Sequence, residues 1–293
     1  MVKKTVKRRS KKRKQPKTKG GNTLKKCSPF SAKHKINANT CMTTETIKQI
    51  KQKLDGGEVN QGSKDSDILT TLQEKYNCKN DQCLLEKIHD TSLKNKIESQ
   101  IFVPEKPTAW KKKPNEWLSD TDILRVLKQY ETAFPAFRFM GPCPIDFATR
   151  VSDKCITEDI CSLHLNSTNN KKQMGIVFNL DKHDEPGSHW VSMFIDIRGK
   201  KIYYFDSAQN TVPPEIVELK DRLIAENPRF SFFSNSVEHQ KGNTECGMYS
   251  LYFIIQMLQS KNRHRLFHSQ FNHPSNIATD EKVEKYRNVF FSV

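Results

Sequence analysis

The chain has 293 residues, enough for one substantial domain and a smaller one, and only 35% of them are hydrophobic, low for a chain packed along its whole length. Of its 49 Lys and Arg, 13 lie in residues 1–26, which hold no acid, so the formal charge of +16 shrinks beyond them to 36 basic against 33 acidic groups. That excludes a fold-wide basic surface, and the lack of a long apolar run or an apolar secretory core leads us to expect a soluble, intracellular protein.

In the arm, Lys3, Lys4, Lys7, Arg8, Arg9, Lys11, Lys12, Arg13 and Lys14 repel one another and have nothing to bury. Residues 1–40 therefore read as a basic disordered arm followed by a polar linker. Such a run contacts phosphates, so non-specific DNA is its expected partner; a nuclear address and a merely solvated arm are the other readings. The eight cysteines (27, 41, 78, 83, 143, 155, 161 and 246) are expected to be reduced thiols, because no export signal precedes them. Cys78 and Cys83, with His89 beyond, have the spacing of half a zinc site. No second close pair completes it, so no metal is expected.

Residues 41–104 carry helical periodicity. Ile47, Ile50 and Leu54 share a face of a segment that ends at Gly56-Gly57. Ile68, Leu69, Leu72 and Tyr76 share another, and Cys83 to Ile88 continues the pattern. This predicts a small helical accessory domain without a catalytic arrangement. Pro104, Pro107 and Pro114 then mark the passage into a second domain, residues 105–293. Ser119 or Asp120 caps a helix bearing Ile123, Leu124, Leu127 and Tyr130. Residues 134–147, with Pro135, Gly141, Pro142 and Pro144, read as loop.

Ile176–Leu180, Trp190–Ile197 and Ile202–Phe205 read as strands, the last two joined in a hairpin by Arg198-Gly199-Lys200. A helix follows Pro213-Pro214 with Ile216, Leu219 and Leu223, and Phe230–Val237 returns as a strand. The order predicts an α+β domain with helices packed on a mainly antiparallel sheet.

Cys246 opens a helix that is apolar on all sides, where unpaired amides and the positive dipole end favour a thiolate. Free cysteines also simply fill cores. The hairpin settles the choice, because it brings His189, at the start of one strand, beside Asp206, at the end of the next. An imidazole takes the thiol proton, and a carboxylate on its other nitrogen fixes the tautomer. Gln240 and the Cys246 amide are then candidate donors to an oxyanion. Singly, a strand-edge His, a strand-end Asp and a loop Gln are usually unremarkable; their convergence is what points to catalysis. His239 lies too near the nucleophile turn to serve, and His264, His268 and His273 fall in a polar tail.

The ordered motifs Trp117-Leu118-Ser119-Asp120, His189-Trp190, Phe205-Asp206-Ser207 and Gln240 to Cys246-Gly247 closely resemble the Ulp1-like cysteine proteases. That papain-related clan includes the SUMO-deconjugating enzymes and adenovirus protease. The match covers roughly residues 105–260. A protease domain behind a basic arm and a small helical domain looks most like the polyprotein-processing proteases of large cytoplasmic DNA viruses. The resemblance implies a thiol endopeptidase that needs no cofactor and cleaves after Gly-Gly in a viral structural polyprotein, with Trp117 and Trp190 flanking a narrow substrate tunnel. It implies residence at assembly sites in the host cytoplasm and in the virion, and no membrane partner. Asp206 stands where some viral relatives have Asn or Glu, as it does in the SUMO proteases. The alternatives are a deconjugating isopeptidase acting on SUMO or ubiquitin-like proteins, and a DNA-binding structural protein on a protease-like fold. Gly-Gly pairs at 20–21 and 56–57 add a further expectation, that self-cleavage after Gly21 frees the enzyme from its arm.

Overall fold

A computed structural model describes residues 25–56, 63–165 and 170–292. The basic arm, Gly20-Gly21 and Gly57 lie outside these residues.

The N-terminal helices are set by their caps. Helix α1 (Pro29–His34) begins with a proline at its first turn, and the Ser28 hydroxyl accepts from the Ser31 amide. Thr43 and Thr46 form a reciprocal capping box for α2 (Thr44–Asp55), which ends at Gly56 with φ 65°. Helix termination thus accounts for the first glycine of that pair. Helices α3 (Asp65–Lys75), α4 (Asp81–Glu86) and α5 (Thr91–Ile101) follow, the last two capped by Asn80 and Asp90. Met42, Ile47, Ile50, Leu72, Leu84, Leu85, Ile97 and Ile101 close a separate small core.

The linker expected up to residue 40 is structured from Lys25 onward. Cys27 bridges Phe102, and Ser31 is fully buried. One serine cap and one proline suffice to start a helix in a stretch that is polar by composition. The expectation of reduced thiols is also corrected. Cys27 is bonded to Cys41, Cys78 to Cys83 and Cys155 to Cys161, leaving Cys143 and Cys246 free. Sequence separations of 14, 5 and 6 residues let local turns bring each pair together, which an argument from export signals cannot see. Cys78 and Cys83 are therefore partners of each other and not half of a metal site.

In the larger unit, Ser119 and Asp122 form a capping box for α6 (Asp120–Ala133). The central sheet has the order β1 (Phe137–Pro144), β4 (Gln173–Asn179), β5 (Trp190–Asp196), β6 (Lys201–Phe205), β7 (Ser231–Ser234). A short hairpin of β2 (Arg150–Val151) and β3 (Lys154–Cys155) leads into α7 (Glu158–Cys161) outside it. The inner pairings, β4 with β5 and β5 with β6, are antiparallel as expected, whereas both edge strands pair parallel, so the sheet is mixed. Strand β1 occupies the region expected to be loop. Its register shifts between Phe139 and Pro142, and an edge strand tolerates a proline at such an irregularity.

Side chains alternate across this sheet. Val177, Phe194, Tyr203 and Phe205 face α6 and α9 (Cys246–Gln259), while Ile176, Phe178, Met193, Ile195 and Tyr204 face α8 (Pro214–Glu226). The supposed polar tail belongs to the first layer. Phe267, Phe271, Ala278, Val283, Phe290 and Phe291 are buried against α9, carried by α10 (Arg263–Leu266), α11 (Asp280–Glu284), α12 (Arg287–Phe290) and the turns between them. Their wide spacing among charged residues hid them from a periodicity argument.

Gly175 lets β4 pack closely against both Phe137 of β1 and Ile254 of α9. A Cβ there would lie 2.9 Å from Phe137 Cζ and 3.1 Å from Ile254 Cγ2. Gly175→Ala is expected to cost about 1–3 kcal/mol by overpacking, read as a lower urea midpoint with unchanged slope.

Candidate active site

Three elements deliver the predicted chemistry. The backbone next to the first residue of β5 holds His189, the residue after β6 is Asp206, and α9 begins at Cys246. In the hairpin Ser192 pairs with Phe205, so the chain leaving β6 passes beside the chain entering β5. Asp206 Oδ1 lies 2.6 Å from His189 Nε2, and the Cys246 thiol is within hydrogen-bonding reach of the same ring. With Nε2 taken by Asp206, Nδ1 is the nitrogen left for sulfur. Burial by itself would lower the imidazole pKa, but the hydrogen bonds to Asp206 and Cys246 and their charges outweigh it, and His189 is pushed up to about 9.

Asp206 is 1% exposed, and burial alone would raise its pKa. The His189 contact and two backbone amides hold it below the usual carboxylate value instead. Oδ1 also accepts from the Ala208 amide at 2.9 Å, and Oδ2 accepts from the Asn210 amide at 2.9 Å and its side-chain amide at 3.0 Å. Each carboxylate oxygen is therefore doubly satisfied, which fixes the face that Oδ1 turns to the histidine.

Beneath it, Asn235 accepts from the Asp206 amide at 3.0 Å and donates to the Asp206 carbonyl at 2.7 Å and the Val237 carbonyl at 3.0 Å. Sequence reasoning missed Asn235 and Asn210. Asn210 had a legible signal, since Asp-Ser-Ala-Gln-Asn after a strand reads as an Asx turn. Asn235 had none, because its partner is 29 residues away.

Gln240 is buried and locally held: its Oε1 accepts from the Ser207 hydroxyl at 2.7 Å, and its Nε2 donates to the Gly242 carbonyl at 2.8 Å. One amide hydrogen remains for a ligand. The Gln240 and His239 amides both donate to the Ser207 carbonyl at 2.9 Å, so the segment before the nucleophile hangs from the residue after Asp206.

His239 is placed apart from the chemistry. Its Nδ1 accepts from the Ala278 amide at 3.1 Å and its Nε2 donates to the Phe271 carbonyl at 3.0 Å, and burial lowers its pKa. It is a neutral packing residue.

The two tryptophans sit on one cleft of about 700 Å³, which Ile156, Thr157 and Gly187 also line. Trp117 is 38% exposed, whereas Trp190 is buried and donates its indole N–H to the Leu118 carbonyl at 3.0 Å. Gly247, directly after Cys246, lets this wall approach: a Cβ there would lie 3.0 Å from Leu118 Cβ and 3.2 Å from Trp190 Cδ1. The Trp117-Leu118 strip, Trp190 and the nucleophile turn are thus packed against one another. Among the described residues no cluster of side chains suited to a metal ion occurs, and no helix is long and apolar enough to cross a membrane.

An α+β fold with Cys246, His189 and Asp206 in this arrangement defines a cysteine protease domain. Residues 168–288 match the Ulp1 protease family, C-terminal catalytic domain. A protein of Acanthamoeba polyphaga mimivirus, whose name assigns it provisionally to the thiol proteases, is 31% identical over 212 residues, 68% of this chain and 63% of its own length. The cysteine protease of African swine fever virus is 33% identical over 127 residues, 41% of this chain and 44% of the viral protein; homologues from other isolates carry the name SUMO-1 cysteine protease. The matched stretch therefore spans less than two thirds of either relative. The crystal structure of the African swine fever virus protease aligns over 92% of this chain and 96% of its own, with a TM-score of 0.60 and 19% identity, a likeness of fold.

Two outcomes test the geometry. His189 is raised above the ordinary 6.5, so its contribution to stability is complete below pH 6.5 and is lost as pH rises through about 9. The stability gap between the protein and His189→Gln should therefore narrow between pH 6.5 and 9.5 in urea titrations. Asn235→Ala strands the Asp206 amide and carbonyl, and a loss of about 1–3 kcal/mol is expected, with activity falling further than that of surface variants of equal stability.

Proposed function

We propose that this protein is a thiol endopeptidase that hydrolyses peptide bonds after Gly-Gly and processes a viral structural polyprotein. One observation carries the chemistry: His189 lies between the Asp206 carboxylate and the Cys246 thiol, at the first turn of a buried helix. The raised imidazole pKa supports a resting state in which His189 already holds the proton. Cys246 Sγ attacks the substrate carbonyl carbon, and the oxyanion accepts from the Cys246 amide and the free Gln240 N–H. His189 protonates the leaving amine, leaving a thioester. It then takes a proton from water, which attacks that thioester, and the acid product and free thiol are regenerated. No cofactor enters these steps.

Trp117 and Trp190 line one cleft, which supports a substrate chain passing beside both indoles, where residues without side chains let its backbone approach them. That the relatives are viral and carry protease names supports a viral protein substrate; cleavage of a polyprotein at cytoplasmic assembly sites and in the virion is part of this proposal. The basic arm supports non-specific binding to packaged DNA, lost as salt is raised. The name SUMO-1 cysteine protease borne by relatives favours a second reading, the same hydrolysis on the tail of a folded ubiquitin-like protein.

Cleavage of Gly-Gly-X peptides, a structural polyprotein and a SUMO fusion, each with and without DNA, separates the readings. Polyprotein and peptide cleavage without processing of the SUMO fusion is expected, and preference for the SUMO fusion would establish the second reading. Cys246→Ala and His189→Ala are expected to abolish turnover, while Asp206→Ala retains a small fraction of it. Full turnover by Cys246→Ala would remove the nucleophile assignment.

A further inference from the structure

The segment after α9 lies outside the motifs that carry the chemistry, yet it supplies the most heavily bonded buried charge beside the site. Arg287, at the start of α12, is 4% exposed. Its Nη2 donates to Glu245 Oε1 at 2.7 Å, and its Nε to the two Glu245 oxygens at 3.2 and 3.0 Å. Its Nη1 donates to the Glu116 carbonyl at 2.9 Å. The guanidinium plane lies 4.3 Å from the centre of the Trp110 ring. Glu245 is 4% exposed and directly precedes Cys246, and Glu116 directly precedes Trp117. A single rigid fork thus holds the side chain of the residue before the nucleophile and the backbone carbonyl of the residue before the exposed tryptophan of the cleft.

The opposite side of the nucleophile turn is held by the same segment. Asp280 Oδ2 accepts from the Lys241 amide at 3.0 Å and the Gly242 amide at 2.7 Å. Its Oδ1 accepts from the Tyr249 hydroxyl of α9 at 2.9 Å. The Gly242 carbonyl then takes the Gln240 side-chain amide.

We infer that Arg287 is a specificity-determining positioning residue, which sets the distance between Cys246 and the Trp117 wall and so the width of the substrate passage. This rests on the peptidase reading of the site. The physical reason is the shape of the group. A guanidinium presents donors in a fixed plane, so the Glu245 carboxylate and the Glu116 carbonyl cannot move independently while both bonds are kept. An ammonium is a compact point charge, and it keeps the ion pair without enforcing that spacing. Removing Arg287 altogether leaves the buried Glu245 carboxylate unpaired, so a conservative exchange is the informative one.

The test compares two reagents on Cys246 in the full chain, iodoacetamide, which is small and needs no passage, and a peptide vinyl sulfone ending in Gly-Gly. In Arg287→Lys the rate with iodoacetamide should stay within about twofold of the unsubstituted protein, while the rate with the peptide reagent falls about tenfold or more. The KM for a Gly-Gly-X peptide should rise by more than kcat falls. Equal losses with both reagents, or no loss with either, overturns the inference. Failure of the unsubstituted protein to react with the peptide reagent, while iodoacetamide still modifies Cys246, would instead refute the peptidase reading. If Arg287→Lys does not fold, the Arg287→Gln, Glu245→Gln double variant leaves no buried charge. It must show the same divergence between reagents for the inference to stand.

Discussion

The 2.6 Å contact between His189 and Asp206 is where the constraints of this structure meet. Burial works against a charged imidazole and against a charged carboxylate, and each is kept charged first by the other, with Cys246 assisting the imidazole and the Ala208 and Asn210 amides the carboxylate. The pair therefore requires a rigid surround: Asn210 and Ala208 saturate the carboxylate, and Asn235 clamps its backbone. The strand pairing of β5 with β6 brings the two residues side by side. Loss of that register would leave two buried, unmatched groups.

The nucleophile arrives from a separate direction, on a helix buried along nearly its whole length. What holds its first turn is mostly not in the sheet. Ser207 anchors the approach at residues 239 and 240, Asp280 holds residues 241 and 242, and Arg287 holds Glu245. Sheet, nucleophile helix and C-terminal segment thus each control one part of the site. Trp190 and Leu118 close against Gly247, where a side chain would collide with both. Placement of the sulfur and the width of the cleft are linked by that contact.

Much of this was legible in the chain. The apolar run after Cys246, the Arg198-Gly199-Lys200 turn and the Ser119 cap each carry a local signal, and the first two suffice to place Cys246, His189 and Asp206. Gln240 stands out in the sequence by its place before the nucleophile, whereas its anchoring by Ser207 does not. Some features escape because their determinants are distant in sequence. Arg287 and Glu245 are 42 residues apart, and Glu116 is 171 from Arg287. Strand β1 escaped because Gly141 and Pro142 are turn formers by composition, and only an edge position makes them acceptable in a strand. The three disulfides escaped because the export argument concerns compartment, whereas pairing depends on which sulfurs the turns bring together.

Cys246 and Asp206 together hold a proton on His189 against the cost of burial. Titration of ¹⁵N-labelled histidine by NMR reads this directly. A His189 midpoint near pH 9 is expected, falling in Cys246→Ala as one of the two partners is removed. A midpoint below the ordinary 6.5 in both proteins, as burial alone would produce, would contradict it.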